Sequence, residues 1–423
     1  LFLEKLVQET EKEHEDILEQ ADETDAMFGE LYSWYLRNPE YRSRVQKLVQ
    51  SAFAGKPEDI ISQSVAKALY GEVSPYSATR LERFAACAFA HFLQYGMKLT
   101  ERVEYEFKPM DMGNVMHEAL ESFAEEVRKR GMKWTELTEQ ERNEIADRCL
   151  DNIVADYGNT VLKSSARNEY MIERTRRILR RTVWALQKQL EQGEFQPEGF
   201  EVTFGGGRID RVDIMEDQNK VYVKVIDYKT GNTSFDLVYL YHGLQLQLMI
   251  YLDGALRVEQ KKYPDKEIIP AGVFYYNIKD PMIQEKIDAD VEAVSAGLMK
   301  ELKMNGLAQA DPELVYRMDS SLGSIPVAFN KDGSFRKNSS VADRTQFAVL
   351  GRYVRTKIEK IRSSILEGDA EVSPYELGKK NACTYCPYMT VCGFDRRLSG
   401  YEFRRLKNFS DEELWKAFDR EAE

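Results

Sequence analysis

From Glu198 to Gly231 the chain reads EGFEVTFGGGRIDRVDIMEDQNKVYVKVIDYKTG, alternating with period two and rich in β-branched residues. Turns at GGG and EDQNK divide it into three predicted strands. Successive side chains on a strand take opposite faces. Val221, Val223, Val225, Asp227 and Lys229 therefore share one face of the third strand. On the second strand, Asp210, Val212 and Ile214 share a face, while Ile209, Arg211 and Asp213 take the other. Pairing Ile214 with Val223 and Val212 with Val225 buries a consistent apolar face. It also sets Asp210 opposite Asp227, with β-carbons roughly 5 Å apart. A slip of one residue would bring in Asp213 in place of Asp210 and separate Val212 and Ile214 from the valines.

Two carboxylates that close repel, and a hard divalent cation such as Mg²⁺ relieves the repulsion. Lys229 shares the face with Asp227 and can orient or deprotonate a water, or stabilise charge on a phosphate. By itself Asp-x-Lys equally fits a solvated surface hairpin. Three other features bear on the choice. His117 lies in the first turns of an amphipathic helix, MDMGNVMHEALESFAEEVRKR (110–130), where an imidazole can complete a metal site. Gln247 and Tyr251 fall one turn apart on a helix predicted over 235–260. Glu201, on the strand before the hairpin, is a possible further acid.

A chain of 423 residues has room for two or three domains. Its net charge of −12 disfavours nucleic acid unless a local basic surface or metal ions intervene. ERTRRILRR (173–181) and FDRRL (394–398) are candidate basic surfaces, although such clusters also occur as solvated helix faces. No apolar run approaches the roughly 20 residues of a membrane span, and no signal peptide is expected. Residues 1–70 read as helices broken near RNPEY and GKPED, a connector or partner-docking segment; Leu1 opens the chain without a methionine, as in a piece of a longer protein. A boundary falls at 71–99, where Ser77 can cap a helix carrying Leu81, Phe84, Ala85 and Phe89 on one face. A strand is expected over 270–278, helices over 284–305 and 343–368, a loop-rich stretch over 306–342 and a helical tail over 401–423.

Three of the five cysteines, Cys383, Cys386 and Cys392, crowd into NACTYCPYMTVCGFD (381–395) with the spacing C-x2-C-x5-C. Such clustering favours metal binding in a reducing compartment. Four thiolates can hold a four-iron four-sulfur cluster or one zinc ion, and spacing does not separate the two. Cys149, in EIADRCLDNIV, reads as a core thiol.

Taken together, GNVMHEAL (His117), GRIDRVD (Asp210), VIDYKTG (Asp227, Lys229) and LQLQLMIY (Gln247, Tyr251) resemble, in that order, the RecB-family nuclease domain of the PD-(D/E)xK superfamily. The resemblance implies an α/β fold with a mixed central sheet flanked by helices, spanning about 71–400. It implies Mg²⁺ held by His117, Asp210, Asp227 and the main-chain carbonyl of Tyr228, with Lys229 catalytic alongside the two aspartates. Gln247 and Tyr251 would contact DNA. Cys87 upstream, with the three clustered cysteines downstream, resembles the iron–sulfur staple of a subgroup of these nucleases. That implies a 4Fe–4S cluster on Cys87, Cys383, Cys386 and Cys392, with zinc as the alternative. SPYSATRLERFAACAFAHFLQYGMKL and PAGVFYYNIKDP are similar to bacterial helicase–nucleases of the AddAB type. This implies a cytoplasmic exonuclease acting on single strands of an unwound duplex end, the 5′-terminated strand above all, beside an AddA-like helicase–nuclease partner. The rival expectations are a free-standing RecB-like exonuclease and a non-catalytic metal-stapled module that binds DNA ends.

Overall fold

A computed structural model describes residues 23–52, 60–71, 76–100, 109–156, 165–205, 207–284, 290–398 and 400–422. The expected break at GKPED lies outside these. The chain divides into two units, Leu1–Ile60 with Gly393–Glu402, and Ile61–Cys392 with Phe403–Glu423. In the smaller unit, helices α1 (Glu23–Arg37) and α2 (Pro39–Ala52) meet at the expected RNPEY break. The rings of Trp34, Tyr35 and Tyr41 cluster around that corner.

The larger unit begins with α3 (Gln63–Tyr70) and α4 (Ala78–Ala86), the latter capped by the Ser77 hydroxyl as expected. Three long helices follow: α5 (Pro109–Lys129), α6 (Glu139–Asp156) and α7 (Ala166–Glu191). The period-two stretch then forms β1 (Gln196–Phe204), β2 (Gly207–Asp217) and β3 (Lys220–Lys229). Val212 pairs with Val225 and Ile214 with Val223, the register expected from the valines. Val221, Val223 and Val225 are fully buried. A slip would separate these valines from Val212 and Ile214 and exchange them with the Lys224 and Ile226 face, and this fixes the register.

Past β3 come α8 (Leu237–Tyr241), α9 (Gln247–Lys262), β4 (Glu267–Asn277), α10 (Val291–Glu301), β5 (Asn305–Gln309), α11 (Pro312–Met318), β6 (Val341–Ala342) and α12 (Arg344–Glu367). The six strands lie in sequence order in one mixed sheet: β3 runs parallel to β4, and β5 to β6, while the other neighbours are antiparallel. A small second sheet joins β7 (Tyr375–Leu377), β8 (Lys380–Asn381) and β9 (Arg404–Arg405), and α13 (Asp411–Ala422) ends the described chain. Two cores cover the main sheet. Ile226, Tyr228, Phe274 and Tyr276 pack with Leu120, Leu150 and Leu186 of α5–α7. Val212, Val223, Val225 and Tyr275 pack with Leu81 of α4, Leu248 of α9, Tyr353 of α12 and Phe418 of α13.

The helix expected over 235–260 is broken. Gly243 takes φ +77°, its N–H donates to the Leu240 carbonyl at 2.9 Å, and the Leu244 N–H donates to Tyr239 at 2.8 Å. These two bonds form a Schellman motif that ends α8. Apolar periodicity on both sides of Gly243 concealed the stop. The break lets α9 start afresh at Gln247, with backbone donors at its start turned to Glu82 of α4.

Candidate active site

Asp210 and Asp227 share a face of the sheet. The ladder that pairs Arg211 with Ile226 places them opposite each other at the next step. Asp210 Oδ2 accepts the Tyr228 N–H at 2.7 Å, which locks its carboxylate across the strand gap. His117 reaches the same place from α5, where it lies midway along a 21-residue helix rather than at its start. Its Nδ1 lies 3.4 Å from Asp210 and 3.6 Å from Glu201, and its Nε2 lies 3.1 Å from the Tyr228 carbonyl.

Among the described residues, His117, Glu201 and Asp210 are the one set of three His, Cys, Asp or Glu side chains whose ligand atoms gather within 4.8 Å of one another. Asp227 falls outside that set. Glu201, only a possible further acid from sequence, falls inside it. Glu201 sits at φ +48°, a left-handed conformation that costs a non-glycine residue of order 1 kcal/mol. The kink turns its carboxylate toward His117, and Arg208 pairs with it. Nothing in the sequence marks this kink.

Asp227 is buried, and Lys229 Nζ lies 2.5 Å from its Oδ2. Its Oδ1 has no hydrogen-bond partner, so that oxygen remains open to a ligand. Burial, together with the neighbouring Asp210 charge, pushes the Asp227 carboxyl up to about 7 against the pull of Lys229 and His117. Burial would lower His117, but Asp210 and Glu201 outweigh it and carry the imidazole up to about 10. Paired acids with unused oxygens and an imidazole holding an extra proton suit a divalent cation that would replace that proton.

Lys229 Nζ donates to Gln247 Oε1 at 2.8 Å, and Gln247 Nε2 donates to the Tyr251 hydroxyl at 3.0 Å. Gln247 and Tyr251 thus act on the lysine, and Tyr251 is itself buried. Glu82 of α4 was not singled out from sequence. Its Oε1 accepts the N–H groups of Leu246 at 2.7 Å and Gln247 at 2.9 Å. Burial raises its carboxyl to about 7, although those two N–H groups and Lys229 pull the other way.

Asp213, the acid of the slipped register, lies on the opposite face. It is fully buried, 2.5 Å from Arg211 Nε and 3.0 Å from Lys224 Nζ. The basic run of α7 is largely neutralised: Arg176 pairs with Asp151, Arg177 with Asp280 and Arg180 with Asp147.

The four named cysteines approach one another. Cys87 ends α4, and the backbone N–H groups of Ala90, Ser373 and Phe89 face its sulfur. Cys87, Ala90, Leu93 and Tyr388 form a small core with Cys386 packed against it. The Cys383 thiol is pushed up to about 12 by burial and by Cys87, Cys386 and Cys392, which places it within electrostatic reach of all three. Thiols that suppress one another's ionisation suit a multivalent metal centre, which lets them ionise together. Cys149 is buried in the core between α5 and α6.

Fold and site together define a class: a helix-flanked mixed sheet that presents paired acids and a lysine in the order D-Y-K. The chain belongs to the PD-(D/E)XK nuclease superfamily, whose family model matches residues 75–393. It is 41% identical, over 95% of its length and 36% of the relative's, to the B subunit of the ATP-dependent helicase/deoxyribonuclease of Lachnoclostridium phytofermentans. For the corresponding protein of Thermoanaerobacter sp. strain X514 the figures are 33%, 95% and 37%. For that of Alkaliphilus metalliredigens they are 34%, 94% and 37%. The chain thus spans little more than a third of these relatives. Among the described residues no helix is long and apolar enough to cross a membrane.

Proposed function

We propose that this chain is the Mg²⁺-dependent nuclease domain of an AddB-type protein, an exonuclease that hydrolyses single strands unwound from DNA ends beside an AddA-like partner in the bacterial cytoplasm. The observation that carries this reading is the convergence of His117, Asp210 and Asp227 with Lys229 at one end of the sheet. The names of the relatives support the helicase–nuclease setting, and the 5′-strand assignment is carried only by the resemblance. His117, Asp210, Asp227 and the Tyr228 carbonyl would hold the ion, with Glu201 beside them. Mg²⁺ when bound supplies charge that polarises a phosphoryl oxygen and acidifies a water.

The protein's own groups do the rest. The Tyr228 N–H fixes Asp210, and Gln247 and Asp227 aim the Lys229 amine into the site. There it can steady the water or the phosphate as in-line attack expels the 3′-oxygen. Gln247, half-exposed, is the one of the Gln247–Tyr251 pair open to a passing strand. Lys229→Ala should lower kcat by about 10²–10³-fold while leaving Mg²⁺ affinity near wild type, as loss of a charge-stabilising group does. Equal losses in affinity and kcat would assign the lysine to ion binding instead.

Protons compete with the ion at His117 and Asp227, whose metal-free pKa values lie at about 10 and about 7. Apparent Mg²⁺ affinity should therefore fall from pH 8 to pH 6 by about tenfold or more per unit. Titration calorimetry at the two pH values checks this, and a pH-independent affinity would contradict it.

For the cysteines we favour the 4Fe–4S cluster on Cys87, Cys383, Cys386 and Cys392. The resemblance to nucleases with an iron–sulfur staple carries that choice, since four thiolates at this spacing suit a zinc ion as well. The deciding experiment pairs an anaerobic visible spectrum with a Mg²⁺-dependent assay on single-stranded DNA. The expected result is iron–sulfur absorption that bleaches on reduction, together with cutting abolished by chelating Mg²⁺. A colourless zinc protein would overturn the cluster, and DNA binding without cutting would overturn the nuclease.

A further inference from the structure

We propose that Glu82 is a positioning residue for Lys229, carrying the placement of the Cys87 helix into the amine of the D-Y-K strand. This rests on the nuclease reading above. The start of α9 has no cap of its own: Leu246 occupies the N-cap position and makes no side-chain bond there. Helix starts leave N–H donors unpaired, and a buried donor without a partner costs of order 1–3 kcal/mol. Glu82 supplies the acceptor from a different helix, taking both the Leu246 and Gln247 N–H groups on one oxygen.

Gln247 is also the residue whose side chain takes the Lys229 amine. The link therefore runs from α4 through Glu82 to the backbone of Gln247, then through its amide to Lys229 and Asp227. At its other end α4 is tied to the cysteine region. Cys87 is its C-cap, five positions beyond Glu82, and the Arg404 guanidinium donates to the Ala85 carbonyl. Arg80, near the start of the same helix, donates to His91 at 3.2 Å and lies over the Tyr76 ring at 3.9 Å. A small shift of α4 would move the oxygen that holds α9. The hydrogen bond that aims Lys229 would then stretch.

The test uses the full-length protein with its cysteine site loaded, on a single-stranded oligonucleotide with Mg²⁺. Glu82→Ala should lower kcat by about 30–100-fold with KM changed by less than about threefold, the size expected of an amine misplaced by about 1 Å. Glu82→Gln keeps an acceptor oxygen and should stay within about threefold of wild type. Because Glu82 acts through Gln247, adding Glu82→Ala to Gln247→Ala should cost less than about threefold more.

Glu82→Ala at wild-type kcat, Glu82→Gln as impaired as Glu82→Ala, or fully additive losses would each overturn the proposal. Hydrogen exchange at the Leu246 and Gln247 amides reads the same contact without any cutting. It should be slow in wild type and Glu82→Gln, and at least about tenfold faster in Glu82→Ala. Unchanged exchange in Glu82→Ala would overturn the proposal too. A wild-type protein that cuts no DNA would instead fail the nuclease reading, while the exchange pattern still decides whether Glu82 holds α9.

Discussion

Asp227→Asn is expected to abolish DNA cutting, by about 10³-fold or more, while raising the thermal stability of the metal-free protein. Both effects come from one buried carboxylate. Asp227 has one oxygen beside Lys229 and one without a hydrogen-bond partner, and it faces Asp210 across the hairpin, an arrangement that serves a bound ion and strains the protein without one. Its carboxyl lies at about 7 in the folded chain against 3.8 ordinarily. The folded state therefore holds a proton more tightly than the unfolded state does. Stability from this group is fully present below about pH 4, is lost as the pH rises toward 7, and stays lost above it.

Asparagine removes that pH-dependent loss. The gain over wild type should thus be largest at pH 8, of the order of 2–4 °C in melting temperature, and should vanish near pH 4. His117 acts in the same sense at higher pH. Its folded value of about 10 lies above the ordinary 6.5, so its contribution is full below about 6.5 and fades through 10. Calorimetric scans at the two pH values, run with chelator, check the stability arm, and a nuclease assay checks the other. An Asp227→Asn protein that cuts normally would reject the site.

The second large effect belongs to the cysteines. Ala at Cys87, Cys383, Cys386 or Cys392 should abolish the visible absorption, weaken DNA binding and lower the melting temperature by on the order of 10 °C. A metal on these thiols would join α4 to the segment after β8, closing a loop of nearly the whole nuclease core. On a chain-entropy estimate such a loop is worth up to about 5 kcal/mol. Other contacts join the same segments: the Tyr388 hydroxyl donates to the Leu99 carbonyl at 3.0 Å, the Phe89 N–H donates to the Glu371 carbonyl at 2.9 Å, and Arg404 donates to Ala85. Cys149→Ala, in the core between α5 and α6, should leave the absorption intact and serves as the control. An unaltered melting curve and DNA affinity in Cys383→Ala would show that the cysteines staple nothing.

The hairpin was legible in the sequence because a period of two and three valines leave one register that matches them to Val212 and Ile214 on a shared apolar face. That register sets Asp210 opposite Asp227 with Lys229 on the same face, although Asp-x-Lys by itself equally fits a solvated hairpin. His117 was a candidate from its place on an amphipathic helix, and the resemblance tied it to the two acids, since its partners lie 84 to 111 positions away on other elements. Three features stayed hidden. The left-handed kink that brings Glu201, named only as a possible further acid, into the site is announced by no local residue. Gly243 stops a helix within a pattern that stays apolar on both sides. Glu82 looks like a solvated acid among arginines until the fold brings it, across 164 positions, to the Leu246 backbone. Local periodicity fixes the strands, but a cap donated between distant helices leaves no trace in either segment.

The central claim is that an imidazole from α5 and two acids from neighbouring strands hold one divalent ion. Anomalous diffraction from crystals soaked in Mn²⁺ tests it most directly. The account expects one strong peak at about 2.1 Å from His117, Asp210, Asp227 and the Tyr228 carbonyl, absent in Asp210→Ala. Manganese bound elsewhere, or a peak that persists unchanged in Asp210→Ala, would contradict it.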